Sequence, residues 1–223
     1  MSDGIGLARR RPGATVRFCR VSDRGTNSDA SGLVERVLAA ADDCFQRYGI
    51  AKTTMEDVAR AASISRATLY RYFADRESLL TESVRRRARL NMKSARAYFK
   101  RRTTIEDKIS DGIVRNVRQG KRDPLVRLLV SPEEMALAAK LLERSGLASE
   151  LTRELWEPVL REAQQAGEIA ADVDIVELCE WIAHLEIMFI SQLEDTPEAF
   201  AWVRRMVEHF VVPALTPRKV VGD

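Results

Sequence analysis

Apolar residues recur at helical spacing through most of the chain, and no stretch alternates cleanly enough between apolar and polar residues to predict a strand. The first such stripe begins near Ser31 and stops at Gly49, a residue type that commonly terminates helices. Asp42 and Asp43 are expected on the exposed side of this helix. The pattern predicts an all-α fold.

The segment 53–80 predicts two short helices joined by a tight turn and followed by the start of a long third helix. Either Thr53 or Thr54 can serve as the N-cap of the first helix, and Ser65 is a good N-cap for the second. Residues 62–64 form the turn between them. Leu69 and Phe73, four residues apart, are expected to point inward from the second helix.

The second of these helices has a basic, acid-free outer face, since no acidic residue lies between Asp57 and Asp75. A short helix of this kind, supported through a tight turn by a partner helix, is typical of a helix-turn-helix that reads the major groove of DNA. The alternative without a DNA-binding role is a helical hairpin whose basic face is simply solvated. The outward residues are Arg66, Ala67, Tyr70 and Arg71.

The same residues resemble the DNA-binding domain of the TetR family of bacterial transcriptional regulators. Ser63 stands where that family usually has a turn glycine, and a left-handed backbone there would cost roughly 1 kcal/mol. Arg76 replaces the usual lysine and keeps its charge. The matching positions are Phe45, Gly49, Thr53-Thr54, Ala62 to Ser65, Thr68 to Phe73 and Arg76 to Leu79.

The resemblance implies a sequence-specific regulator that binds a palindromic double-stranded operator as a homodimer, typically a repressor released by a small-molecule effector. Guanidinium groups pair with guanine edges, and a methyl side chain contacts the thymine methyl. The residues expected to read bases are Arg66, Ala67, Tyr70 and Arg71. The residues expected to contact phosphates are Lys52, Thr54, Ser65, Thr68, Tyr72 and Arg76.

Four segments are expected along the chain. Residues 1–30 predict a basic, disordered tail, with an arm along the minor groove as a sharper alternative. Residues 31–78 form the DNA-binding domain, 79–215 the helical ligand-binding and dimerisation domain, and 216–223 a C-terminal tail. The long helix after Asp75 carries early arginines that would add positive potential near the DNA.

Charge and cysteine usage favour a soluble cytoplasmic protein. The formal net charge is only +3, so affinity for DNA must come from clustered rather than total charge. The three cysteines are scattered without a C-x-x-C pair, which argues against a disulfide framework or a zinc site. The most apolar segment, 181–190, is interrupted by His184 and Glu186 and is too short to span a membrane.

The last two long helices carry more apolar residues than one buried stripe requires, which predicts a subunit interface. The resemblance implies a four-helix bundle formed by these helices in a homodimer. The candidate interface residues are Ile182, Phe189, Phe200, Val203, Val207 and Phe210.

The resemblance also implies a pocket for the effector in the C-terminal domain. The aliphatic composition favours an apolar or amphipathic ligand, with Arg115 as a partner for an anion. Each candidate has a core-packing alternative, because Trp and Met at helical spacing are more often core residues. The candidates are Arg115, Trp156, Trp181, His184, Met188 and Phe189.

Enzyme activity has little support in the sequence. His184 and His209 lack metal-ligand spacing, and no nucleophile, phosphate-loop or zinc-protease motif is present, so no cofactor or metal is expected. Two rivals to the effector-controlled regulator remain. A ligand-independent DNA-binding protein would have a collapsed C-terminal core, and an enzyme or interaction module on this fold would show no salt-dependent DNA binding.

Overall fold

The computed structural model describes residues 26–134 and 146–217, and all regular secondary structure within these two ranges is helical. This confirms the predicted all-α fold. The long helices are followed by a π-helical turn at Val207–Val211 and a short helix at Val212–Leu215. The helices are α1 (Thr26–Tyr48), α2 (Met55–Ala61), α3 (Arg66–Tyr72), α4 (Arg76–Phe99), α5 (Ile105–Arg122), α6 (Pro124–Leu129), α7 (Leu147–Gln165), α8 (Ile175–Gln192) and α9 (Pro197–Met206).

The N-terminal helix begins earlier than the sequence indicated. Residues 26–30 belong to α1, so the predicted disordered tail 1–30 is wrong for those five positions. Residues 1–25, including the arginine-rich run, lie outside the described residues, as do 218–223 of the predicted C-terminal tail. The predicted end of α1 is confirmed, since Gly49 has the left-handed φ of 82° that favours glycine.

The turn between α2 and α3 is a Schellman motif. The Ser63 amide donates to the carbonyl of Arg60, and the Ile64 amide donates to the carbonyl of Ala59. Ser63 has a φ of 56°, so the residue that replaces the usual glycine is left-handed. Ser65 then caps α3, accepting a hydrogen bond of 3.0 Å from the Thr68 amide. This turn sets the angle at which α3 stands on α2.

Helix α4 contributes to both of the hydrophobic cores. Its first turns bury Leu79 and Leu80 with α1, α2 and α3. Its later turns bury Met92 and Phe99 in a second core built mainly from α5, α7, α8 and α9. The first core also receives Leu125 and Leu129 of α6 and Leu147 of α7. Side chains from the C-terminal part of the chain therefore complete the core of the helix-turn-helix.

An ion-pair network ties α4 to α1 and α6. Asp42 is buried, not exposed as expected, and its Oδ2 accepts from Arg86 Nη1 at 3.1 Å and Arg87 Nη1 at 2.9 Å. Arg87 Nε also donates to Asp123, and Arg85 pairs with Glu150 at 2.7 Å. The early arginines of α4 are thus committed to carboxylates inside the protomer, which corrects the expectation that they add to the field at the DNA.

A second link joins the turn after α6 to the loop before α2. The Ala51 amide donates to Oε1 of the buried Glu134 at 2.9 Å. The guanidinium of Arg76 binds the carbonyl of Ala51 and also that of Thr53, at 3.4 Å. The peptide of Ala51 is therefore held from both sides, once by the helix-turn-helix and once by the C-terminal part of the chain.

The second core packs closely around α5. A Cβ on Gly112 would lie 2.5 Å from the ring of Trp156 and 2.6 Å from that of Phe99, so only glycine lets these rings meet α5. The two rings lie 4.7 Å apart between centroids. Trp156 is fully buried. These aromatic contacts fix α5 and α7 against each other beneath α8.

Candidate functional site

The polar face of helix α3 is exposed to solvent, and one buried side chain packs the helix against the rest of the domain. Leu69 is fully buried, whereas Arg66, Ala67, Tyr70 and Arg71 are all exposed on one side. Arg66 lies 3.7 Å from Glu56 in an exposed ion pair, a kind of contact that contributes little stability. The four residues predicted to read bases therefore share one accessible surface, and α3 is the right length to enter a major groove.

Three of the predicted phosphate contacts serve as caps or cap partners. Thr54 forms a capping box with Asp57, and the hydrogen bonds from Thr54 lower the pKa of that carboxyl. Ser65 Oγ lies 2.9 Å from Thr68 Oγ1 while it also accepts from the Thr68 amide. These hydroxyls hold the first turns of α2 and α3 in place, and the ion pair between Glu56 and Arg66 shows that the two turns lie close together.

The other three predicted phosphate contacts differ in their environment. Lys52 is exposed in the loop before α2. Tyr72 is half-buried, with the guanidinium of Arg71 5.7 Å from its ring centroid. Arg76 already binds the carbonyls of Ala51 and Thr53, so its charge is fixed at the base of the loop. Phosphate contact by these residues stays a prediction.

Comparison with known proteins places this surface in a family. A profile described as bacterial regulatory proteins, tetR family, matches residues 37–82, which include α2, α3 and the start of α4. Residues 37–82 therefore form a DNA-binding domain of the TetR family. The chain is accordingly a DNA-binding transcriptional regulator, and the resemblance drawn from the helix-turn-helix residues is confirmed.

The similarity extends beyond the helix-turn-helix. An uncharacterized HTH-type transcriptional regulator of Mycobacterium tuberculosis is 26% identical over 183 residues, covering 82% of this chain and 85% of that protein. The TetR family repressor AlkX from Dietzia, implicated in biodegradation of n-alkanes, matches at 26% identity and a TM-score of 0.55, covering 82% and 96% of the two chains. A TetR-family regulator from Pectobacterium atrosepticum shares the fold at 19% identity and a TM-score of 0.61, covering 86% and 99%.

A cavity of about 520 Å³ lies between α4, α5, α6, α7 and α8. Its volume falls within the range of small-molecule sites in proteins. A larger groove of about 780 Å³ runs along the outside of α7, where charged side chains such as Arg153, Glu157 and Arg161 pair with one another. The first of these two spaces is the candidate effector site, because it reaches into the second core.

None of the six predicted ligand residues lines this cavity. Trp156 is fully buried in the core, and Phe189 packs edge-on against Trp202. Arg115 does not line the cavity itself, but it donates hydrogen bonds to three residues that do, namely Asn91, Ser94 and Asn116. The other three are exposed on the opposite side of α8, because residues at this spacing share one helical face. They are Trp181, His184 and Met188.

Five of the six predicted interface residues are buried inside the protomer rather than on its surface. They pack in the second core and are not presented to a partner; Phe210 alone of the six is exposed. Both helices are apolar on more than one side, so the sequence did not separate the inner face from the outer one. The buried five are Ile182, Phe189, Phe200, Val203 and Val207.

Sequence reasoning missed the polar residues of the cavity. Asn116 and Glu186 meet there, with Asn116 Nδ2 donating to Glu186 Oε1 at 2.9 Å. A sequence signal exists for Glu186, because this carboxylate interrupts the most apolar helix of the chain. No helix in the described ranges is long and apolar enough to cross a bilayer, and no group of three metal-ligating side chains occurs there.

Proposed function

We propose that this TetR-family regulator binds a palindromic operator as a homodimer through α3, represses transcription, and is released when a small ligand enters the cavity beneath α8. The observation that carries the proposal is the outer face of α3, where the side chains of Arg66, Tyr70 and Arg71 are exposed to solvent. The helix is held in place by the buried Leu69. Repression has its support in AlkX, the similar family member that is described as a repressor.

Dimerisation through α8 and the end of the chain is supported by apolar side chains that the protomer leaves uncovered. Trp181 is 45% exposed, Met188 39%, Trp202 42% and Phe210 69%. Large apolar residues grouped on one surface mark association sites. We assign the interface to this outer face, in place of the buried residues named from the sequence, and its twofold symmetry would match a palindromic operator.

Control by a ligand is supported by the cavity itself. A ligand-independent regulator on this fold would have a collapsed C-terminal core with no ligand-sized cavity, whereas here an open cavity of about 520 Å³ lies between the two cores. The cavity borders Arg87, which is ion-paired to Asp42 of α1. A ligand bound there would act on the contact between α4 and the helix-turn-helix, which is the element whose position it must change.

The test is a fluorescence-anisotropy titration of the purified protein against labelled DNA from upstream of its own gene, at two salt concentrations, with scrambled DNA of equal length as control. We expect selective binding that weakens at the higher salt, as phosphate contacts require. Equal affinity for the native and scrambled DNA, with all upstream fragments tried, would refute operator recognition.

The dimer is tested by analytical ultracentrifugation. Trp181→Glu is expected to shift the protein from dimer to monomer, because it places a charge in an apolar contact. Tyr48→Glu is the matched control, since Tyr48 is also 45% exposed but lies on α1. A Trp181→Glu variant that remains dimeric at the same concentration would place the interface elsewhere.

A further inference from the structure

The cavity beneath α8 is mostly apolar, with polar groups gathered at two places. One polar group of side chains lies at Arg87 and Asp123, towards the helix-turn-helix, and the other lies at Asn116 and Glu186. The apolar wall is formed by Val84, Leu90, Met92, Leu151, Leu155 and Ile190.

Four charged side chains line the cavity, and three of them are already paired. Arg86 and Arg87 both bind Asp42, and Arg87 also binds Asp123 at 2.9 Å. The contacts of Glu186 in the described ranges are hydrogen bonds from Asn116 and Trp156, and none is an ion pair. Glu186 is the charge in this cavity that the protomer leaves without an opposite charge in direct contact.

Only one of the two carboxyl oxygens of Glu186 is engaged. Oε1 accepts from Asn116 Nδ2 at 2.9 Å and from the indole Nε1 of Trp156 at 3.3 Å. For Oε2 no hydrogen bond is found within the part of the chain that the structure describes. The Asn116 amide is held in this orientation because its Oδ1 accepts from Arg115, which leaves Oε2 as the acceptor available to a ligand.

The environment of Glu186 makes a positive ligand favourable. Burial raises the pKa of its carboxyl to about 7, since the ionised form is poorly solvated in the core. A cation in contact with Oε2 would restore the interaction that burial removes, whereas an anion would be repelled and a neutral donor would offer one hydrogen bond. The positive charge of Arg115 opposes this rise in pKa, but its guanidinium donates to Asn91, Ser94 and Asn116 and forms no ion pair with Glu186.

We infer that the effector is a small amphipathic cation, an organic ammonium whose charged group binds Glu186 and whose hydrocarbon body lies along the apolar wall of the cavity. This inference rests on the proposed function, because it names the chemistry of the ligand that the cavity takes. The composition predicts an apolar or amphipathic ligand, and the inference specifies an amphipathic ligand that carries a positive charge.

The probes are decylammonium, decanol and decanoate, which share one hydrocarbon chain and differ in charge. Isothermal titration calorimetry with the full-length protein and no DNA measures each affinity below the aggregation concentration of the probe. We expect decylammonium to bind at least tenfold more tightly than decanol, and decanoate to bind most weakly. Glu186→Gln should remove the preference for decylammonium and change the affinity for decanol less than threefold.

Glu180→Gln is the matched control, because Glu180 is an exposed carboxylate on the opposite side of the same helix. It should leave all three affinities unchanged. The decanol titration reports whether the Glu186→Gln cavity is intact, and the ranking of the three probes on the wild-type protein tests the inference even if that variant fails to fold. Decanol or decanoate binding as tightly as decylammonium, or no probe binding, would overturn it.

Anisotropy with operator DNA separates this inference from the proposed function. Decylammonium that binds in a Glu186-dependent manner but leaves operator affinity unchanged would support the cation site and refute ligand release. Operator release by decanol or decanoate, with no preference for decylammonium, would support ligand release and refute the cation site.

Discussion

Helices α3 and α8 carry the two candidate sites in opposite orientations. In α3 the charged residues face solvent, and the single buried residue, Leu69, holds the helix in place. In α8 the carboxylate of Glu186 faces a cavity, and Trp181 and Met188 face solvent. A surface that reads DNA needs exposed hydrogen-bond donors on a helix that is held in place by a few buried apolar residues. A site for a small ligand needs a few polar groups inside a mostly apolar cavity.

The largest effect is expected where the anchor of α3 is removed. Leu69→Ala should lower the free energy of unfolding by about 2–5 kcal/mol, the usual cost of truncating a fully buried leucine. Urea unfolding followed by circular dichroism measures it. Tyr70→Ala is the control, because Tyr70 is 45% exposed and should lose DNA affinity with little change in stability. If both variants lost stability equally, the division of α3 into anchor and reading face would be wrong.

The partly buried carboxylate of Glu186 in α8 should make the stability of the protein depend on pH. The pKa of Glu186 is raised from 4.5 to about 7, so between these values the folded protein retains a proton that the unfolded chain has lost. Stability therefore falls as pH rises through this window. At 1.36 kcal/mol per pKa unit the loss approaches about 3 kcal/mol.

Urea unfolding of the wild type and Glu186→Gln at pH 5 and pH 8 measures this dependence. The exposed His184 and His209 are present in both proteins, so their contribution cancels in the difference. We expect the variant to gain stability relative to the wild type at pH 8 but not at pH 5. A difference that is the same at both pH values would show that the carboxyl titrates normally.

Substitutions on the exposed face of α3 should change the specificity of DNA binding and leave the stability of the protein nearly unchanged. Arg66→Ala is expected to lose roughly 1–3 kcal/mol of preference for operator over scrambled DNA, since a bidentate guanidinium contact distinguishes base pairs. Tyr72→Phe should instead weaken both DNAs about equally, as loss of a phosphate contact would. Competition anisotropy with the two DNAs separates these effects, and an unchanged operator preference in Arg66→Ala would remove Arg66 from the reading face.

The two sites also differ in how far the sequence predicts them. The reading face of α3 follows from contiguous residues, because helix periodicity alone separates Leu69 from Arg66 and Tyr70. The cavity is assembled from four long helices, so its lining depends on their packing. Periodicity identified α8 as apolar on several sides but did not indicate that Glu186 faces inward and Trp181 outward. The buried Asp42 was missed for the same reason, since its partner arginines lie on another helix.

The smallest effect is expected in the turn that sets the angle of α3. Ser63 adopts the left-handed conformation that glycine takes without strain, so Ser63→Gly should relieve strain in the folded state. Part of this gain is lost because glycine has a greater conformational entropy in the unfolded chain. The net gain should be about 0.5 kcal/mol by urea unfolding. Ser65→Ala, two residues later, should instead cost about 1 kcal/mol, because it removes the cap that accepts from the Thr68 amide. Changes of the same sign in the two variants would mean that Ser63 is held by contacts other than its backbone conformation.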